Sequence, residues 1–294
     1  MIGQSTVAAG IAVGLALALA APAPANADNY PSHPITMIVP LAPGGSTDVL
    51  GRIMAQSMSK RLGQPIVVEN VAGAAGTIGV TRAERSAPDG YTVLWGMWGT
   101  NVANGAIYKL PFDLLNDFQP IALVATQPFL IDARKTMPAN NLKELIAWLK
   151  ANGDKTTMGT SGVGSPSHVA GVLMENMLGL HWQMVAYRSA GLATNDLLAG
   201  ITDIQPDEAG MPGYYFYFWH AMWAPKGTPK DIVAKLNAAA VDSLADPATR
   251  KRLTDLAQEI YSRDQQTPEA LYAFQKSEVE KWWPIIKAAG IKAE

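Results

Sequence analysis

The chain has 294 residues, with 23 Lys and Arg against 25 Asp and Glu, a net charge of −2 with the histidines neutral. It contains no cysteine, which excludes a disulfide scaffold, a thiol nucleophile and thiolate metal sites. The near-neutral balance is the wrong footprint for a nucleic-acid binder. At roughly 150 residues per domain the length predicts two domains, and 48% hydrophobic residues can fill their cores.

Residues 7–21 form an uncharged apolar run of small residues, followed by Pro22, Pro24 and Ala25-Asn26-Ala27. An apolar stretch before an A-x-A pattern predicts a signal peptide, residues 1–27, cleaved after Ala27, and hence a periplasmic location. The run departs from the usual pattern in having no Lys or Arg before it. It is also shorter than the ~20 residues of a membrane span.

Beyond the leader, Ile35–Val39 reads as a buried strand ended by Pro40 and Pro43-Gly44-Gly45. Ser46, Thr47 or Asp48 is expected to cap a helix that runs to about Leu62, stopped by Gly63. Pro65–Glu69 is a second strand, a helix ends near Arg85, and Tyr91–Trp95 is a third strand. This β-α-β-α-β order predicts a parallel sheet. The apolar stretch Ile121–Ile131, too long for one ordinary strand, is expected to carry the chain between domains. A helix over 142–152, a strand over 156–159, a helix capped by Ser167, a strand over 183–187 and a helix ending at Gly200 follow. An aromatic strand, 216–224, then leads to three helices, about 229–244, 247–258 and 268–289.

Three loops share one chemistry: Pro43-Gly-Gly-Ser-Thr-Asp48, Ser161-Gly-Val-Gly-Ser-Pro-Ser-His168 and Ser189-Ala-Gly191. Each follows a strand and precedes a helix. Parallel sheets bind ligands at the carboxyl ends of their strands, where helix N-termini offer unpaired N–H groups and a positive dipole end. Glycines and hydroxyls there suit a carboxylate held without a metal. Asp48 suits a cap or a supporting acceptor better than an anion ligand, and Asp196 suits a loop-orienting acceptor or a cap-region charge equally. Trp95, Trp98, Tyr214–Trp219 and Trp223 either line a cleft around a flat ligand or pack in the core.

Enzyme and cofactor motifs fail. Gly159-Thr-Ser161-Gly-Val163 lacks the last glycine of a nucleophile elbow, and Gly162-Val-Gly164-Ser-Pro-Ser167 lacks the third glycine of a dinucleotide loop. The histidines show no metal-ligand spacing. A Ser165–His168 dyad would need unusual geometry; it defines the competing reading, a hydrolase of small acids.

In order along the chain, several motifs resemble the tripartite tricarboxylate transporter substrate-binding proteins, also called the Bug or TctC family. They are Tyr30-Pro-x-x-Pro34-Ile, Val39-Pro-Leu-Ala-Pro-Gly-Gly-Ser-Thr-Asp48, Glu69-Asn70-Val-Ala-Gly73-Ala-Ala-Gly76-Thr-Ile-Gly79, Ala87-Pro-Asp-Gly-Tyr-Thr92, Gly164-Ser-Pro-Ser-His168, Asp196-Leu-Leu-Ala-Gly200, Glu208-Ala-Gly-Met-Pro-Gly213 and Ala224-Pro-Lys-Gly-Thr-Pro229. The resemblance implies an α/β, two-lobed type II periplasmic binding protein fold with the ligand cleft between the lobes. The lobe boundaries expected from it are 28–124 and 218–294 for lobe I with the C-terminal helices, and 125–217 for lobe II. It implies a non-enzymatic receptor, without cofactor or metal, that passes a small organic carboxylate to membrane permease subunits. It also implies that Ala42, Gly44, Gly45, Ser46 and Thr47 form one jaw with Ala74 beside it, that Ser161, Gly162, Ser165 and His168 face it, and that Asp196 supports closure. Trp98 is added as an aromatic wall, which with Trp95 and the Tyr214–Trp219 run favours an aromatic dicarboxylate such as terephthalate; a monomer is expected. A sensor that presents its ligand to a membrane kinase is a further reading. The sequence departs from the family after Ile204. The family pattern there continues through strand, helix and strand, whereas Ile204 runs into Gln205-Pro-Asp-Glu208, so about one βα unit, on the order of 30 residues, is missing and lobe II is shortened.

Overall fold

The computed structural model describes residues 29–128, 130–188, 190–207 and 217–291. The leader, Ser189, the 208–216 stretch with Tyr214–Phe216, and the last three residues lie outside them.

Ten strands and nine helices are described: β1 Ile35–Val39, α1 Ser46–Leu62, β2 Ile66–Asn70, α2 Thr77–Glu84, β3 Thr92–Met97, α3 Asn104–Ile107, β4 Phe118–Pro128, β5 Leu130–Ala133, α4 Leu142–Asn152, β6 Thr157–Thr160, α5 Pro166–Leu178, β7 Gln183–Ala186, α6 Ala190–Leu198, β8 Ile204–Asp207, β9 Tyr217–Pro225, α7 Lys230–Ala245, α8 Pro247–Thr254, β10 Glu259–Ile260 and α9 Pro268–Ala288. They build two sheets, one ordered β10-β4-β9-β3-β1-β2 and one ordered β5-β8-β6-β7. The expected parallel unit is present: β1 pairs with β2 and with β3, all parallel. The sheet as a whole is mixed, because β9 returns antiparallel between β3 and β4.

β1 and β3 alternate sides, as a pleated strand must. Met37, Val39, Val93 and Trp95 join α1 and α7 in one core, whereas Ile38 and Leu94 belong with α9 to the other. Helix α1 lies close on this sheet at Gly51, where an added Cβ would come within 3.1 Å of Trp95. Gly63 ends α1 in a left-handed turn (φ 71°), which glycine adopts at no steric cost.

Two expected features shift. Helix α1 has Gly45 at its N-cap with no side-chain cap, and Asp48 sits inside the first turn. Helix α5 is capped by Ser165, not Ser167: the Ser165 hydroxyl accepts the His168 N–H, and Pro166 starts the helix. The expected lobe boundary after residue 124 falls inside β4. That strand stays paired with β9 from Phe118 to Pro128, and the second sheet begins at Leu130. Among the described residues, no helix is long and apolar enough to cross a membrane.

Candidate functional site

A cavity of about 190 Å³ lies between the two sheets. Leu41, Ala42, Gly45, Ser46, Thr47 and Met97 line it from the first lobe; Ser161, Pro166, Ser167, Ala190, Gln205 and Pro206 line it from the second; Phe218 lies on the returning strand β9. Its size is slightly above the roughly 150 Å³ that accepts benzene, which sets the scale of a small organic molecule. Three helices present their first turns here: α1 through Ser46 and Thr47, α5 through Pro166 and Ser167, and α6 through Ala190. The first N–H groups of a helix have no partner within it and carry the positive end of its dipole. No Lys, Arg or His is among the described lining residues. Among the described lining residues, an anion meets neutral donors only.

The first jaw is braced from below. Asp48, 4% exposed, accepts the Gly44 N–H at 2.9 Å, Asn70 Nδ2 at 2.9 Å and Arg52 Nε at 3.0 Å. Asn70 Nδ2 also donates to the Leu41 carbonyl at 3.1 Å, and Asn70 Oδ1 accepts from Arg52 Nη2. Burial raises the pKa of Asp48, but these hydrogen bonds and the Arg52 charge outweigh it and hold the carboxyl below its usual range. Asp48 thus shapes the 41–45 loop and lines no part of the cavity. Thr47 is held from behind: Trp95 Nε1 donates to its carbonyl at 2.9 Å, and its hydroxyl pairs with His220 Nε2 at 3.1 Å.

The second jaw is a chain of hydroxyls. Ser167 Oγ accepts the Ser161 N–H and lies 2.9 Å from Ser161 Oγ and 3.0 Å from Ser165 Oγ. Either oxygen of each hydroxyl pair can donate; in the arrangement where Ser165 donates to Ser167 and Ser167 to Ser161, the hydroxyl hydrogen of Ser161 is left for a guest. The remaining expected residues stand away from the cavity wall. Gly44 and Gly162 provide positive-φ turns (89° and 116°), and Ala74 sits in a left-handed turn before α2. Ser165 is the α5 cap. His168 Nδ1 accepts the Gly164 N–H at 3.0 Å, and burial lowers its pKa. No bond joins its ring to Ser165, so the hydrolytic dyad is not formed. Asp196 accepts from the Tyr187 hydroxyl at 2.6 Å, tying α6 to the end of β7 and pushing the Tyr187 pKa up to about 12. Trp98 is fully buried, edge-on to Trp282 at 5.3 Å, and Trp95 is fully buried as well. Their indoles belong to the core. Apolar walls come instead from Leu41, Met97, Pro166, Pro206 and Phe218, which composition alone does not single out.

His220 was visible in the sequence only as one of four histidines. It is fully buried between Trp95 and Phe218, and burial pushes its pKa down to about 3. A group neutral in the folded state but protonated when unfolded lowers stability as pH falls below about 6.5, by about 1.4 kcal/mol per pH unit until the folded pKa is reached. The half-buried His168 acts in the same direction. We predict that unfolding free energy falls steeply between pH 6.5 and 4, and that His220→Gln flattens this slope. Denaturant titrations at pH 7, 5.5 and 4.5 measure it; equal slopes in both proteins would remove His220 as the cause.

Two sheet-based lobes around one small cavity walled by helix N-termini define a solute-binding protein. The chain belongs to the tripartite tricarboxylate transporter family receptors, whose sequence model matches residues 50–207 and 205–291. Members of this family are periplasmic solute-binding receptors and not enzymes. A protein of Agrobacterium vitis from the TAR-I ttuE-ttuC' intergenic region is 34% identical over 300 aligned positions, covering 90% of this chain and 86% of that protein. The periplasmic binding protein BugD is 35% identical with a TM-score of 0.79, covering 90% of this chain and all of that one. MatC of Rhodopseudomonas palustris, solved with bound malate, is 32% identical with a TM-score of 0.78, covering 87% of this chain and all of that one. The family match breaks in two at 205–207, where a βα unit is expected to be missing. In the Agrobacterium alignment, 300 positions draw on 90% of 294 residues, so about 35 positions fall opposite no residue of this chain.

Proposed function

We propose that this chain captures a small organic carboxylate outside the cytoplasm and delivers it to the membrane permease subunits of a tripartite tricarboxylate-type transporter. The observation that carries the reading is the convergence of the α1, α5 and α6 N-termini on one cavity lined, among the described residues, by no basic side chain. Backbone dipoles and the Ser46 and Ser161 hydroxyls hold the guest, and closing the lobes buries it. The bound malate of MatC is a ligand of the same chemical class. Export through a leader cleaved after Ala27 and action as a monomer complete the proposal.

The narrower expectation, an aromatic dicarboxylate such as terephthalate, leaned on Trp95, Trp98 and the 214–219 run. Of these only Phe218 lines the cavity among the described residues, so the broader carboxylate reading is the one we hold. Calorimetric titration of the mature protein with a panel of aliphatic and aromatic mono- and dicarboxylates tests it. At least one acid binds, and Ser46→Ala weakens it about tenfold, the cost of one hydrogen bond to a charged group. Binding of neutral analogues with equal affinity would overturn the reading.

A further inference from the structure

The cavity lining changes character with depth. Ala42, Gly45, Ser46 and Ala190 are exposed, and Ser161 and Pro166 are half-buried. These residues, which include the N-terminal turns of α1, α5 and α6, form the mouth. The lining residues that solvent barely reaches form the floor. Its apolar surface is Met97, Pro206 and Phe218, all buried. Three polar residues reach the floor as well, and each already has protein partners. The Thr47 hydroxyl lies between His220 Nε2 at 3.1 Å and Met97 Sδ at 3.6 Å. Ser167 Oγ accepts the Ser161 N–H and pairs with the hydroxyls of Ser161 and Ser165. The Gln205 amide nitrogen donates to Thr194 Oγ1 at 3.1 Å. Among the described lining residues there is no charged side chain of either sign.

The mouth suits an anion and the floor does not. A carboxylate carried to the floor loses its water and meets no cation, only hydroxyls and an amide nitrogen already committed elsewhere, and an unpaired buried charge is costly. An apolar group in the same place gains by leaving water. We propose that the guest is an amphipathic monocarboxylate, held with its single carboxylate at the mouth on the helix N-termini and its apolar body on Met97, Pro206 and Phe218. A cavity of about 190 Å³, slightly above the roughly 150 Å³ that accepts benzene, suits a body of about six carbons, either a short aliphatic chain or one ring. The assignment rests on the carboxylate reading of the cavity and narrows it against dicarboxylates.

Matched acids titrated calorimetrically into the mature protein test it: butyrate, hexanoate, adipate, benzoate and terephthalate. Affinity rises about fourfold for each methylene buried, so hexanoate binds about tenfold or more tighter than butyrate. Hexanoate also outbinds adipate, and benzoate terephthalate, by about tenfold or more, because in each pair the dicarboxylate differs by a charge placed on the floor. Met97→Gln, close to methionine in size but polar, holds the gain from butyrate to hexanoate below about threefold; the wild-type comparisons decide the matter whatever the stability of this variant. A flat series in the wild type, a dicarboxylate bound as tightly as its monocarboxylate partner, or an undiminished gain in folded Met97→Gln would overturn the assignment and leave the carboxylate reading in place. Hexanol and benzyl alcohol bound as tightly as the acids, or no acid bound by the folded protein, would remove both.

Discussion

Gly45→Asp is expected to abolish carboxylate binding while leaving the fold at least as stable. Gly45 is the N-cap of α1, with φ −81° and ψ 169°, a conformation any residue adopts, and an added Cβ meets nothing within 4 Å. An aspartate there accepts the N–H of the second or third helical residue, as capping aspartates do, and gains a few tenths of a kcal/mol over glycine. The same N–H groups are those offered to the guest, and Gly45 lines the cavity. A fixed negative charge about 4 Å from a bound carboxylate costs about 4 kcal/mol at an effective dielectric near 20, close to a thousandfold in affinity. Gly45→Asn makes the same cap without the charge and gives an intermediate loss. Affinity of the aspartate variant within threefold of wild type, with an unchanged melting temperature, would mean that α1 takes no part.

Asp48→Ala should be the most damaging single change to the first jaw. It strands the Gly44 N–H and leaves Asn70 Nδ2 with only the Leu41 carbonyl. Arg52 is half exposed, so its share of the pairing is screened and small. Gly44 is exposed and Asn70 half-buried, so water relieves part of the loss of these two hydrogen bonds, and we set the cost at about 1–2 kcal/mol. Because the network also shapes the loop carrying Leu41, Ala42 and Gly45, affinity falls with stability. The Asp48 pKa is held below its usual range, so its contribution is complete at neutral pH and is lost as pH falls through the low carboxylate range. Urea unfolding at pH 7 measures the first effect; a loss under 0.5 kcal/mol would contradict it.

Most strands and helices were readable because apolar runs ended by Gly and Pro mark buried parallel strands, and α1, α4 and α9 match their expected spans within a residue or two; the short α3, β5, β8 and β10 were not. The loops that converge on the cavity were also readable, since glycines and hydroxyls between strand and helix have a distinct chemistry. What the chain order hides is side-chain direction. Trp95 and Trp98 differ from a cleft wall only in which way they point, and both point into the cores. The helix caps moved by one to three residues because Ser, Thr and Asp are interchangeable as candidates until the first turn is built. Asn70 and His220, 22 residues from Asp48 and 173 from Thr47, brace the first jaw through contacts that only the folded sheet creates.

The measurement that bears most directly on the account is a crystal structure of the mature protein with a bound carboxylate. It should place the carboxylate oxygens within about 3 Å of backbone N–H groups in the first turn of α1 and of the Ser161 hydroxyl, with no lysine or arginine in contact. A guest held chiefly by basic side chains, or seated outside the cavity between the two sheets, would contradict it.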